Sequence, residues 1–189
     1  MKKSIFVSVL VFSAALVLVG CNSNPNEPEA GGSEKGHKYV DLGLSVKWAT
    51  MNVGATTPED YGDYFAWGEK DDAAHVNWGG SWRMPTLAEW RELYDNCTWT
   101  WTTQNGINGY KVTSNKEGYT DRFIFLPAAG GRDDNGLDDV GSDGYYWSSS
   151  LYEHYSGYAW FLYFNSYSCG LDGYYSDRNG GRSVRPVLP

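Results

Sequence analysis

The sequence predicts an α+β domain of short antiparallel strands, long loops and one or two helices. Strand-sized apolar runs recur along the chain, bounded by Gly, Pro, Asn and Ser, while helical periodicity is scarce. Glycine numbers 23 and tryptophan 9, which favours loops packed on aromatic side chains over long helices. One segment, 87–96, carries both a helix start signal and an apolar face. With 189 residues, 41% of them hydrophobic, the chain is long enough for one domain with its own core.

The first 20 residues stand apart from that domain. Lys2 and Lys3 precede an apolar run from Ile5 to Val19, too short for a confident membrane span and shaped like a secretory signal. The run ends in Leu18-Val19-Gly20-Cys21, which resembles the bacterial lipobox, whose Cys is acylated and becomes the mature N-terminus. The predicted organisation is a lipoprotein signal peptide over 1–20, a lipidated flexible tether over 21–38 and a ligand-binding domain over 39–189. The tether is rich in Asn, Pro, Glu and Gly and has little apolar area to bury. Acyl chains gain about 0.8 kcal/mol per buried methylene, so the membrane is met through the Cys21 anchor alone. Asn22 is not the Asp that retains lipoproteins on an inner membrane, and Glu27 and Glu29 resemble acidic export signals of surface lipoproteins. An outer-membrane lipoprotein facing the cell surface is the expectation. The net charge is −8, and two units more negative once Lys2 and Lys3 are removed. Such a surface repels phosphate backbones, so nucleic acid is not an expected partner.

Within the domain, 39–42 and 46–51 alternate like strands around a turn at 43–45. Residues 54–63 read as loop, 64–68 as a short aromatic segment and 68–72 as a solvated turn. Thr86 and Glu89 then have capping-box spacing, and Leu87, Trp90, Leu93 and Tyr94 share one helical face over 87–96. Glu89 is therefore read as a cap and Arg83 as a structural partner of loop carbonyls. Trp99, Trp101 and 110–113 read as a hairpin region, with Asn105-Gly106 and Asn108-Gly109 as turn formers. The run 123–127 is expected to be the most buried strand, and 128–131 to let backbones approach closely. Residues 132–139 place Asp133, Asp134, Asp138 and Asp139 in one loop. That loop reads either as a solvated acidic turn or as a calcium site, though its spacing is not that of an EF-hand. No other cofactor is implied.

The stretch 145–186 organises the functional reading. Tyr145, Tyr146, Tyr152, Tyr155, Tyr158, Tyr163, Tyr167, Tyr174 and Tyr175 lie there among Ser, Gly, Asn and Asp. Tyrosine offers a large amphipathic contact at low rotamer cost, and the small polar residues adapt their hydrogen bonds, the mixture used by antibody paratopes. This reads as a binding face on a rigid scaffold, with His154 as one more polar contact. Catalytic signatures are missing: His37, His75 and His154 lack paired metal spacing, and no phosphate loop or Gly-x-Ser-x-Gly elbow occurs. The expectation is a binding protein and not an enzyme. Cys97 and Cys169 remain beside Cys21, and a bridge between them is left open.

Four motifs then combine in order: 82–90 (Trp-Arg-Met-Pro-Thr-Leu-Ala-Glu-Trp), Tyr146-Trp147-Ser148-Ser149-Ser150, Ala159-Trp160 and Ser183-Val184-Arg185-Pro186-Val187. With them, 39–188 resembles the Fibrobacter succinogenes major paralogous domain, a relative of the C-type-lectin fold. The resemblance implies a C-type-lectin-like fold whose terminal strands, near Val40 and Val184, pair while loops project from the far side. Two functional branches share this kind of fold. Formylglycine-generating, sulfatase-modifying oxidases use paired late cysteines, where this chain has only Cys169. Variable proteins of diversity-generating retroelements instead randomise a C-terminal lectin segment on a constant framework, and 152–182 resembles such a segment. On that resemblance Trp160, Leu162 and Phe164 are framework pointing inward. Tyr163, Asn165, Tyr167, Ser168, Asp172, Tyr174, Tyr175, Asp177 and Asn179 are displayed. Together with Tyr152, His154, Tyr155 and Tyr158 they are the expected contacts to a protein or carbohydrate ligand. A structural adhesion subunit is the third reading.

Overall fold

The structure is a computed structural model that describes residues 31–68, 72–171 and 174–189. Cys21, Glu27, Glu29 and Asp172 lie outside the described residues. The described chain is mostly antiparallel sheet with two short helices, a small α+β arrangement.

It opens with a hairpin, β1 (Gly32–Glu34) against β2 (His37–Val40). Lys35 and Gly36 turn it with φ of 52° and 83°, the paired positive dihedrals that suit a two-residue hairpin turn. The last part of the expected tether, 32–38, is therefore strand and turn. Contacts far along the chain recruit its last residues. The Glu34 carboxylate accepts the Ser81 N–H at 2.6 Å and the Glu34 carbonyl accepts the Trp82 indole N–H at 2.9 Å. His37 stacks on Trp78 with ring centroids 3.8 Å apart.

The strand β3 (Lys47–Ala49) pairs with β2, Val40 opposite Trp48, and with the closing strand β13 (Val187–Leu188), Val187 opposite Trp48. The first and last described strands do lie in one sheet, but Val40 and Val184 are not the partners. Strand β2 already has β1 on its other side and no free edge. The Val184 carbonyl instead accepts the Val53 N–H at 3.0 Å.

Two helices follow. The first, α1 (Ala73–Trp78), falls where no helix is expected from the sequence, and Asp72 caps it by accepting from the N–H groups of Ala74 and His75. Six residues are too few to show a period. The second, α2 (Leu87–Asn96), has its expected bounds and a complete capping box: Glu89 N–H donates to Thr86 Oγ1 at 3.2 Å and Thr86 N–H to Glu89 Oε2 at 2.8 Å. Arg83 grips the same carboxylate through both Nη atoms, at 2.8 and 2.6 Å, and donates to the Met84 carbonyl. Trp90 and Leu93 are buried, whereas Tyr94 lies at the edge of that face and is exposed.

Strands β4 (Cys97–Gln104), β5 (Ile107–Ser114) and β6 (Phe123–Pro127) form a meander. Asn105-Gly106 makes its first turn. Asn108-Gly109 does not turn. It runs inside β5, where Gly109 pairs with both Thr102 and Pro127 and a Cβ would sit 2.3 Å from the Leu126 carbonyl oxygen. Every residue of β6 is buried. A small hairpin, β7 (Gly131–Asp133) and β8 (Gly136–Asp138), carries the acidic loop.

The last sheet holds β9 (Asp143–Leu151), β10 (Tyr158–Asn165), β11 (Cys169–Gly170) and β12 (Tyr175–Asp177). Between β9 and β10 the register shifts: Ala159 faces Leu151 but Phe161 faces Trp147. The residues left over, Ser148-Ser149-Ser150, bond inward. Ser148 Oγ donates to the Trp160 carbonyl at 2.9 Å, Ser149 N–H to the Pro85 carbonyl at 2.8 Å, and Ser150 Oγ accepts the Leu87 N–H at 3.0 Å. The serines thus tie β10 to the start of α2.

The core is aromatic. Trp48 meets Trp90 at 4.7 Å between centroids, Trp90 meets Tyr146 at 6.0 Å, and Tyr146 stacks on Phe164 at 5.8 Å. Beside them lies Arg185, fully buried. It donates to Asn52 Oδ1 at 2.9 Å and to the carbonyls of Ala49 and Phe125 at 3.0 and 2.9 Å. Burial draws its guanidinium down to about 10. Such a charge is tolerated inside because its donors are used.

Candidate functional site

The thirteen predicted contact residues do not form one surface. Those described separate into an outer ring cluster, an inner tyrosine group, a turn and the rim of a cavity.

The outer cluster sits where β10 and β12 pair, Trp160 opposite Tyr175 and Tyr158 opposite Asp177. Tyr152 stacks on Tyr175 at 3.9 Å and 8°. Trp160 stands edge-on to Tyr152 at 5.2 Å, and Tyr158 edge-on to Tyr175 at 6.0 Å. Tyr155 lies 6.2 Å from Tyr152, and the His154 ring 5.3 Å from it. These rings are in contact yet open to solvent: Tyr155 is 64% exposed, Tyr175 40% and Tyr158 37%. Trp160 is the correction. It does not point into the core as framework, as Leu162 and Phe164 do. The register shift beside it puts it half-buried among the outer tyrosines.

Tyr163 and Tyr174 form the inner group with Tyr145, which the sequence does not single out as a contact residue. Their centroids lie 4.8 Å (Tyr163–Tyr174) and 5.4 Å (Tyr163–Tyr145) apart. They are half-buried on the side of β10 away from Leu162 and Phe164, against Phe161. The hydroxyls of two are engaged: Tyr163 donates to Asp143 Oδ1 at 2.7 Å and Tyr145 to Asp139 Oδ2 at 2.8 Å. Burial, with Asp143 beside it, pushes the Tyr163 phenol up to about 12, and burial with Asp139 raises Tyr145 likewise.

Asn165 and Ser168 shape a turn. Asn165 Oδ1 accepts the N–H groups of Tyr167 and Ser168, both at 3.0 Å. This leaves Tyr167 at the tip, 95% exposed.

Asp177 and Asn179 line a cavity of about 480 Å³, walled also by Gly131, Asp133, Asp138, Tyr145, Gly180 and Arg182. The acidic loop is therefore one wall of a pocket and not an isolated turn. Its carboxylates have local uses: Asp133 accepts the Asn135 N–H at 2.7 Å and Asp138 the Asp139 N–H at 3.1 Å. Among the described residues no group of three His, Cys, Asp or Glu is placed to hold a metal. Cys97 and Cys169 are unbridged thiols, and burial pushes each up to about 12. The signal for Arg182 is present in the closing Arg-Ser-Val-Arg-Pro run, but nothing local tells it apart from Arg185.

What the geometry defines is an antiparallel α+β domain presenting exposed, mutually stacked rings beside a charged cavity. Residues 102–187 match a family described as Domain of unknown function (DUF8237). No curated protein and no solved structure matches the chain.

Proposed function

We propose that this chain is a lipoprotein, acylated at Cys21 and displayed on the outer membrane, that binds a protein or glycan through its outer ring cluster. One observation carries the reading: Tyr152, Tyr155, Tyr158, Trp160 and Tyr175 pack on each other while Tyr155, Tyr158 and Tyr175 stay exposed and Tyr152 and Trp160 are only half-buried. Rings that only stabilise a fold are buried, and a contiguous exposed aromatic patch is the form of a contact surface. The fold is C-type-lectin-like in this reading, supported by the pairing of β3 with the closing strand β13, Val187 opposite Trp48. Retroelement diversification of 152–182 belongs to the same proposal, and a near-identical template repeat beside a reverse transcriptase gene, differing at adenines, is its genomic test. The oxidase reading needs reactive paired thiols. Burial holds both Cys97 and Cys169 protonated, which supports binding over oxidation.

The test is a glycan and protein array probed with the full chain in detergent, followed by the Tyr152→Ala/Tyr175→Ala double variant. Central aromatic contacts are worth about 2 kcal/mol or more, so the array ligand should bind about 30-fold more weakly while the melting temperature holds. Undiminished binding by the double variant overturns the assignment of this face. A collapse of melting temperature with affinity points to the structural subunit.

A further inference from the structure

The cavity beside the outer rings contains an unanswered charge. Arg182 is held at its backbone by Phe65, which donates to the Arg182 carbonyl at 2.9 Å and accepts the Arg182 N–H at 3.0 Å. Its guanidinium packs on three rings, Phe161 at 4.3 Å, Tyr145 at 4.8 Å and Trp147 at 5.2 Å. Its Nε is sealed from solvent and has no hydrogen-bond partner among the described residues. Among those residues no carboxylate pairs with it, in contrast to Arg83 on Glu89. Burial lowers it to about 10. A partly desolvated guanidinium without a carboxylate is costly, and its fork suits a bidentate oxyanion.

The terminal nitrogens reach the cavity between two glycines. A Cβ at Gly131 would stand 3.5 Å from Nη1, and one at Gly180 would stand 4.0 Å from Nη2. Both glycines line the cavity, so the absence of side chains there keeps the guanidinium accessible. The rim has the opposite sign. Asp133, Asp134, Asp138, Asp139 and Asp177 surround the opening, with Arg132 the one further cation among the described residues that line it. A simple anion meets that rim at a cost, and a simple cation leaves Arg182 unpaired. The cavity, about 480 Å³, falls within the roughly 300–1,000 Å³ typical of small-ligand sites.

We propose that this cavity captures the C-terminus of a basic peptide: the terminal carboxylate forks onto Arg182 and lysine or arginine side chains meet the rim aspartates. Recognition of a terminal carboxylate together with charge complementarity at the rim is a known peptide-binding mode. The inference deepens the binding reading by naming the ligand as a protein with a basic tail. It stands on residues separate from the outer rings. Strand β12 joins the two, because Tyr175 belongs to the rings while Ser176 and Asp177 line the cavity.

The experiment is calorimetric titration of the full chain in detergent with three probes: Ala-Lys-Lys with a free C-terminus, the same peptide as its C-terminal amide, and Ala-Glu-Glu. The free acid should bind at least about 10-fold more tightly than the amide, and Ala-Glu-Glu should not bind. Added salt should weaken the complex, since the rim charges are exposed. Arg182→Gln should erase the difference between acid and amide, and Gly131→Ala, which sets a methyl over Nη1, should reduce it. Should Arg182→Gln fail to fold, the acid–amide comparison on the unaltered protein still decides. Equal binding of acid and amide, binding of Ala-Glu-Glu, or no binding by any probe overturns the proposal. The Tyr152→Ala/Tyr175→Ala variant separates failure of the cavity from failure of the ring face. If it loses the array ligand while the peptides fail to discriminate, the ring face stands and the cavity assignment falls. If it keeps the array ligand while the peptides discriminate, the reverse holds.

Discussion

The rings around Trp90 and the rings around Tyr175 are the same chemistry under opposite conditions. Around Trp90 the rings are fully buried, and two of their polar atoms find main-chain partners: the Trp90 indole donates to the Trp147 carbonyl at 3.2 Å, and the Tyr146 hydroxyl donates to the Pro127 carbonyl at 2.7 Å, while Trp48 Nε1 has no partner among the described residues. Around Tyr175, no ring hydroxyl of Tyr152, Tyr155, Tyr158 or Tyr175 bonds the main chain among the described residues, and three of the four rings are exposed. Stacking is present in both places, so stacking alone does not separate a core from an exposed cluster. Burial does. The inner set is expected to fix the fold, and the outer set to be dispensable for it.

Truncation on the two sides should therefore give unequal losses. Trp90→Ala removes a fully buried indole that touches Trp48 and Tyr146. It should cost about 3–5 kcal/mol, read from the denaturant midpoint in chemical unfolding. A loss nearer 1 kcal/mol would mean that the inner set is not what fixes the fold.

One step from the rings, Glu89→Gln keeps the shape of the capping box on the helix that positions Trp90 but removes its charge. The loss should be about 1 kcal/mol at neutral pH. Burial raises the Glu89 carboxyl, but its bonds from Arg83 and Thr86 outweigh this, and the net shift is downward. A carboxylate lowered in the folded state contributes stability above the ordinary glutamate range and loses it as pH falls through the folded value. The variant and the unaltered protein should accordingly converge in melting temperature on acidification. A gap that persists in acid contradicts the charge-based account. The smallest effect belongs outside: Tyr175→Ala should change stability by under about 1 kcal/mol, the scale of one exposed ring contact. A larger drop makes the outer cluster part of the core and dissolves the contrast.

What is legible in the sequence follows from how far apart the deciding contacts lie. The bounds of α2 depend on Thr86 and Glu89, three residues apart, and are readable. So are the Asn105-Gly106 turn and the burial of β6, which need only neighbours. The β1–β2 hairpin depends on Ser81 and Trp82 reaching Glu34 across 47 and 48 positions, and composition alone points to a tether. The same limit governs the site. Alternation places Leu162 and Phe164 correctly, but the shift beside Ala159 is a property of two strands together, so alternation puts Trp160 on the wrong side. Tyr163 and Tyr174 carry the same letter as Tyr155 and Tyr175, and only the carboxylate of Asp143 and the wall of Phe161 make them different.

The serine bulge beneath the outer rings has an evolutionary consequence. Its bonds run to main-chain groups of Pro85, Leu87 and Trp160 and use no side chain of the exposed tyrosines. Sequence turnover at 152, 155, 158 and 175 is thereby uncoupled from strand alignment. A laboratory library randomised at these four codons is therefore expected to keep the β9–β10 alignment.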